Sequence, residues 1–272
     1  MRRTLRLAVL STSCLALTSV VLGVPASATT PTTGNCYNYP TFALQKVSNP
    51  ASPVPCEGSH RAETFFTGSL AARFPDPAKA TVRQIADARV NNCTPARMNA
   101  YLGLNTALPT RFRPVAVFPS TAEYAAGERW IRCDVVYSTA LGIGVLTQPA
   151  PAWVAASAET PGSFSFCTPG VGFARMPSPT KTTAQPCTNP TKQWILVANP
   201  AVGKIWQKYP GYRTLERRAA TACRAYKNKY NGGLKDPFAR GWSYIYPMAQ
   251  GWSNGVRTAS CWVPLKQYRN TK

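Results

Sequence analysis

Histidine is nearly missing from this sequence: His60 is the only one in 272 residues. Acids are scarce as well, with ten Asp and Glu against 31 Lys and Arg. No Cys-x-x-Cys pair occurs. Zinc sites usually combine short-spaced thiolates with histidines, so neither a metal nor another cofactor is expected. A Gly-x-Ser-x-Gly elbow, a His-Glu-x-x-His helix and a phosphate-binding glycine loop are all absent, and with them the familiar signatures of several enzyme classes. Beyond residue 28 no stretch is apolar enough to span a bilayer.

The N-terminus reads as a signal peptide over residues 1–28. Arg2, Arg3 and Arg6 form a basic segment, Leu7 to Val24 an apolar one, and Ala26-Ser27-Ala28 a small-x-small cleavage site. Ser11, Thr12, Ser13, Thr18 and Ser19 break the apolar run and weaken it as a membrane anchor. Cys14 falls inside the leader. Eight cysteines then remain, at 36, 56, 93, 133, 167, 187, 223 and 261. An even number in an exported chain reads as four disulfides and an extracytoplasmic location.

Their spacing repeats. The gaps are 20, 37 and 40 residues in the first half and 20, 36 and 38 in the second. Pro119, Tyr124, Gly127, Arg129 and Cys133 spell P-x4-Y-x2-G-x-R-x3-C. Pro247, Trp252, Gly255, Arg257 and Cys261 spell the same frame with Trp for Tyr, 128 residues on. We therefore expect two tandem copies of one unit, 29–155 and 156–272, meeting in a Pro/Ala-rich stretch.

Each unit is expected to be α+β, one helix packed on a small, mainly antiparallel sheet. β-branched and aromatic runs predict strands over 63–67, 115–118 and 129–137, then over 194–198, 242–246 and 257–263. Asp76 and Pro77 are expected to start the first helix, with Val82, Ala86, Val90 and Cys93 as its apolar stripe. Leu215, Ala219, Ala222, Cys223, Tyr226 and Tyr230 are the stripe of the second. Both helix cysteines then face the underlying sheet. Gly103 and Gly232 are expected to stop the helices, and Gly127 and Gly255 to sit in hairpin turns. Four cysteines per unit allow three pairings. The arrangement favoured here joins Cys36 to Cys133 and Cys56 to Cys93, then Cys167 to Cys261 and Cys187 to Cys223.

This pattern resembles the septum-formation family of actinobacterial exported and membrane-anchored proteins. The resemblance rests on a strand cysteine, C-x3-H-x2-E, a helix cysteine and P…W-x2-G-x-R…C. The first half holds Cys56, His60 and Glu63, then the segment from Pro119 to Cys133. The second holds Trp252, Gly255, Arg257 and Cys261, with Thr191 and Trp194 where His and Glu would stand. The resemblance implies a role at the cell envelope or in division and no known reaction; the second copy is degenerate.

His60 and Glu63 are the one candidate pair for acid–base chemistry, as in a hydrolase or transferase, which would need an open cleft around them. The plainer reading has them brace the loop after Cys56. Arg129 and Arg257 read either as a ligand-binding guanidinium at each hairpin or, the favoured reading, as structural residues that bond loop carbonyls or pair with a nearby acid.

Charge is uneven between the halves. Residues 29–150 carry 11 basic and 7 acidic groups, and residues 151–272 carry 17 and 3. Arg213, Arg217 and Arg224 fall on one helix face, flanked by Arg218, Lys227 and Lys229. Lys204, Lys208, Lys235, Arg240, Lys266, Arg269 and Lys272 extend the positive surface, with Trp206, Trp242, Trp252 and several tyrosines interleaved. Such a surface attracts polyanions. The expected partner is an anionic cell-wall polymer or lipid head groups. A protein of a division or secretion complex is the rival, and no nucleic-acid motif is present. No enzymatic activity is expected.

Overall fold

The computed structural model of the chain describes residues 30–40, 46–104, 106, 108–139, 142–156, 164–169, 176–177, 185–230 and 241–270. The leader expected over 1–28 lies outside these residues, as do Gly232, Lys235, Arg240 and Lys272.

The first half runs β1 (Cys36–Tyr37), β2 (Pro53–Val54), β3 (Ala62–Ser69), α1 (Val82–Asn92), α2 (Pro95–Tyr101), β4 (Phe112–Val117), α3 (Thr121–Ala125), β5 (Trp130–Thr139), β6 (Gly142–Ile143) and α4 (Ala150–Ala156). The second runs β7 (Cys167–Pro169), β8 (Met176–Pro177), β9 (Gln193–Ala198), α5 (Tyr212–Tyr230), β10 (Ser243–Tyr246), α6 (Ala249–Ser253), β11 (Ser260–Pro264) and α7 (Leu265–Asn270). The first sheet has the order β2-β1-β3-β5-β4, with β6 on β5. The second has the order β7-β9-β11-β10-β8. Apart from the parallel β8–β10 pair, the ladders are antiparallel. The path β1-β3-β5-β4 thus recurs as β7-β9-β11-β10, and the fold is α+β as expected.

Strand β5 shows why each sheet is stable. Ile131, Cys133, Val135 and Tyr137 alternate onto one face and join a core with Phe65, Ile85, Met98 and Leu102. The other face carries Arg132, Asp134 and Val136, also buried. There Arg132 Nε donates to Asp134 at 3.0 Å, and Thr64 and Tyr39 hydroxyls donate to the same carboxylate at 2.8 and 3.3 Å. The Arg132 guanidinium lies 3.6 Å from the Tyr37 ring centre. Removing one member of such a pair would strand a buried charge, at a cost of about 3–5 kcal/mol.

Helix α5 buries Leu215, Ala219 and Cys223 against the second sheet, with Tyr226 and Tyr230 partly covered, as its periodicity predicts. Helix α1 departs from expectation. Its cap is Thr81, in a capping box with Gln84, and Asp76 instead accepts from Ala78 N in a preceding turn. Ser/Thr-x-x-Gln satisfies two free amides at once, which a lone Asp before proline does not. This start turns the helix so that Val82 and Val90 are 58% and 55% exposed and Ile85 is buried. A second helix, α2, follows at once, capped by Thr94 with Pro95 in its first turn. Gly103 ends it with φ of 68°.

All eight cysteines among the described residues are paired, but not in the favoured arrangement. The bridges are Cys36–Cys56, Cys93–Cys133, Cys167–Cys187 and Cys223–Cys261. Topology forbids the expected 36–133 and 167–261 pairs. β3 lies between β1 and β5, and β9 between β7 and β11. Two strand spacings come to about 9.5 Å, beyond the roughly 7 Å that a disulfide spans between Cα atoms. Cys36 instead meets the chain just beyond Val54, its partner on β2, and Cys167 the chain just beyond Gln185. The helix cysteines reach down to β5 and β11, with Cα separations of 5.2 and 5.3 Å.

The glycines of the repeated motif also differ from expectation. Gly127 and Gly255 do not sit in tight hairpin turns. Short helices α3 and α6 fill those connections, and each glycine follows the helix end with φ of 98° and 85°. Only a residue without Cβ takes that conformation at little cost.

Candidate functional site

Three groups of sequence-derived candidates fall in three separate places. The first is the helix end before β5 and before β11. Arg129 lies 3.6 Å from the Tyr124 ring centre and donates to the carbonyls of Tyr124 and Glu128 at 2.8 and 2.7 Å. Arg257 lies 4.0 Å from the Trp252 ring centre. It donates to Trp252 O, Val256 O, Lys204 O and Ile205 O at 2.6–3.1 Å. Buried Trp252 gives its Nε1–H to Gln207 O at 2.7 Å. These guanidiniums collect carbonyls left over at helix ends, as expected, and Arg257 also ties residues 204–205 to α6.

The second is His60 and Glu63. Both are buried. The Glu63 carboxylate accepts from Ala150 N at 2.5 Å and from the Tyr101 hydroxyl. It therefore joins β3 to α2 and to the first turn of α4. His60 pairs through its backbone with Leu146, and its Nδ1 lies 2.9 Å from Gly58 O. Its Nε2 faces Glu63 Oε2 at 3.7 Å. Burial favours the neutral imidazole, yet the Glu63 carboxylate and the Gly58 carbonyl outweigh it and hold the His60 pKa above the ordinary value. Neither residue lines the cleft beside α5 or the clefts beside Val82, beside Met98 and beside Cys93. Tyr101 and Ala150 carry no sequence signal as partners of Glu63; only the folded chain brings them there.

The third is the basic face of α5. Arg213, Arg217, Arg224 and Lys229 are exposed. Lys227 is half-buried, its ammonium 5.8 Å from the Trp242 ring centre. Arg218 is also half-buried and donates to Val202 O and Gln207 Oε1, both at 3.1 Å. Arg217 and Arg218 converge on an open cleft of about 820 Å³ between α5 and residues 201–207, opposite Lys204 and Trp206. Thr214 and Thr221 add to its wall. Trp206 is 57% exposed, an unusual state for an indole in a folded chain. Lys204 Nζ and Arg83 of α1 lie 5.3 and 5.1 Å from its ring centre. Of the six helix cations, then, two form the cleft and four do not. The place of Arg83, from the other half, was not legible in the sequence.

The cleft is open and cationic, walled by hydroxyls and an aromatic face. Four disulfides set this architecture in an oxidising, extracytoplasmic compartment. No helix among the described residues is long and apolar enough to cross a membrane. The molecule is thus an exported α+β protein of two disulfide-stapled sheets. A family model described as septum formation matches residues 33–261, and the chain belongs to that family. The one match takes in both four-cysteine frames. No curated protein and no solved structure matches the chain.

Proposed function

We propose that this chain is a non-enzymatic protein of the cell envelope that grips an anionic wall polymer through its second half. In this reading residues 29–155 and 156–272 are two copies of one unit. The first docks or supports, and the second, with Ile195 and not the expected Trp194 in the place of Glu63 and with no histidine, binds. The observation that carries the proposal is the convergence of Lys204, Arg217 and Arg218 on one cleft beside an exposed indole. Arg213, Arg217 and Arg224 prolong it along α5 over about 16 Å at 1.5 Å per residue. A line of cations suits an extended polyanion better than a flat membrane face. Membership of the septum-formation family supports an envelope role and names no ligand.

The test uses the full oxidised chain, isolated cell-wall fractions and vesicles of anionic lipid, each at low and high salt. Retention by wall, release at high salt and loss in Arg217→Glu are expected. Retention that ignores salt would favour a protein partner, and stronger binding to vesicles a lipid surface; either result rejects the polymer.

A further inference from the structure

The Cys36–Cys56 bridge differs from the other three in two respects. Cys56 is half-exposed, whereas Cys93, Cys133, Cys167, Cys187, Cys223 and Cys261 are all buried. A reductant in solution therefore reaches this bridge first. The buried sulfur of the pair also sits among polar groups. Cys36 on β1 stands directly opposite Glu63 on β3, so both side chains project from the same face. The Cys36 Sγ, a ring nitrogen of His60 and a Glu63 carboxylate oxygen lie within 4.8 Å of one another.

The imidazole is oriented as metal-bound imidazoles are. Its Nδ1 is positioned to donate to the Gly58 carbonyl at 2.9 Å, which leaves the lone pair on Nε2. That Nε2 is buried, makes no hydrogen bond and faces Glu63. Glu63 in turn is fixed by Ala150 N and the Tyr101 hydroxyl, so both oxygen-bearing and nitrogen-bearing donors are held from behind. In the oxidised chain the set lacks a thiolate, because both sulfurs are bonded to each other.

We propose that reduction of Cys36–Cys56 converts this cluster into a zinc site formed by Cys36, Cys56, His60 and Glu63. A phosphine or an extracytoplasmic dithiol supplies the two electrons. With the phosphine, one water is consumed, the S–S bond breaks, two thiols form and the phosphine leaves as its oxide. Zn²⁺ then binds two thiolates, the Nε2 lone pair and the carboxylate, and two protons go to solvent. Such a mix of sulfur, nitrogen and oxygen donors suits a tetrahedral zinc ion. The second half is an internal control. Its Cys167–Cys187 bridge has the same 20-residue spacing, but Ile195 stands opposite Cys167 where Glu63 stands opposite Cys36, and the second half has no histidine.

The experiment takes the chain with all four disulfides formed, treats it with increasing phosphine under native conditions, and adds zinc. Alkylation mapped by mass spectrometry identifies which thiols appear, and metal analysis after gel filtration counts the zinc. Cys36 and Cys56 are expected to become alkylatable first, and without the alkylating agent one zinc per chain is retained. A Cys167→Ser/Cys187→Ser chain keeps that zinc, a Cys36→Ser/Cys56→Ser chain loses it, and His60→Gln binds at least about tenfold more weakly. Cobalt in the unmutated chain supplies a reading that needs no variant to fold: a thiolate-to-cobalt charge-transfer band appears only after reduction. Reduced chain that stays zinc-free, zinc kept by Cys36→Ser/Cys56→Ser, or another bridge opening first would overturn the proposal.

Discussion

Neutralising one cation of the α5 cleft gives the most direct quantitative test of the polymer reading. Lys204, Arg217 and Arg218 line it. A protein cation that meets a phosphodiester chain releases condensed counterions, with log K falling by about 0.7–0.9 per contact for each unit of log salt. Three contacts then predict that a fourfold rise in salt weakens binding about 20- to 40-fold. Arg217→Gln removes one contact from an exposed position, and the same salt step should then cost only about 7- to 12-fold. A labelled linear polyphosphate serves as the simplest probe, with anisotropy read between 50 and 200 mM salt. The part of the tryptophan emission that a Trp206→Phe chain loses reports whether the polymer lies in the cleft. Equal slopes for the two proteins, or no salt dependence in either, would refute the assignment of Arg217 to the contact. An altered slope with silent Trp206 would move the polymer elsewhere on α5.

Three other outcomes follow from the geometry. Arg257→Ala should lower stability by about 2–3 kcal/mol, because four carbonyls lose a charged donor; Arg257→Lys should not restore it in thermal unfolding, since an ammonium lacks the planar fork. Burial and the neighbouring Asp134 carboxylate hold the Tyr39 phenol well above its ordinary pKa. The folded chain thus keeps a proton that the unfolded chain loses, so this contribution is intact below about pH 10 and declines above it; a Tyr39→Phe chain that loses stability just as steeply at alkaline pH would contradict this. Gly203→Ala would set a Cβ 2.3 Å from the Trp252 ring, so a loss of about 1–3 kcal/mol is expected on denaturant unfolding; an unchanged midpoint would show that the 201–207 loop yields freely.

The strands and α5 were legible because their signals are local. Runs such as Trp194–Ala198 are β-branched and aromatic, and Leu215, Ala219 and Cys223 recur at one helix face. Cysteine spacing, likewise one-dimensional, disclosed the repeated frame. The first helix was misread because an Asp-Pro pair and a Thr-x-x-Gln box lie five residues apart, and only the second satisfies two amides. The pairing of sulfurs depended on which strand lies between which, a fact of sheet order that spacing does not contain. The cleft was half visible. Composition pointed to a basic, aromatic second half, but not to the facing of Lys204 and Trp206 toward Arg217 across the fold.

Among the described residues each bridge joins a cysteine to the very next one along the chain, first to second, third to fourth, and so on to the eighth. A polypeptide threaded outward from its N-terminus presents thiols to the oxidant in that same order. Closing each ring as its second sulfur arrives gives the native set directly, without reshuffling. No loop need wait for a distant partner, and an interrupted export would leave behind whole, correctly closed rings rather than tangled ones.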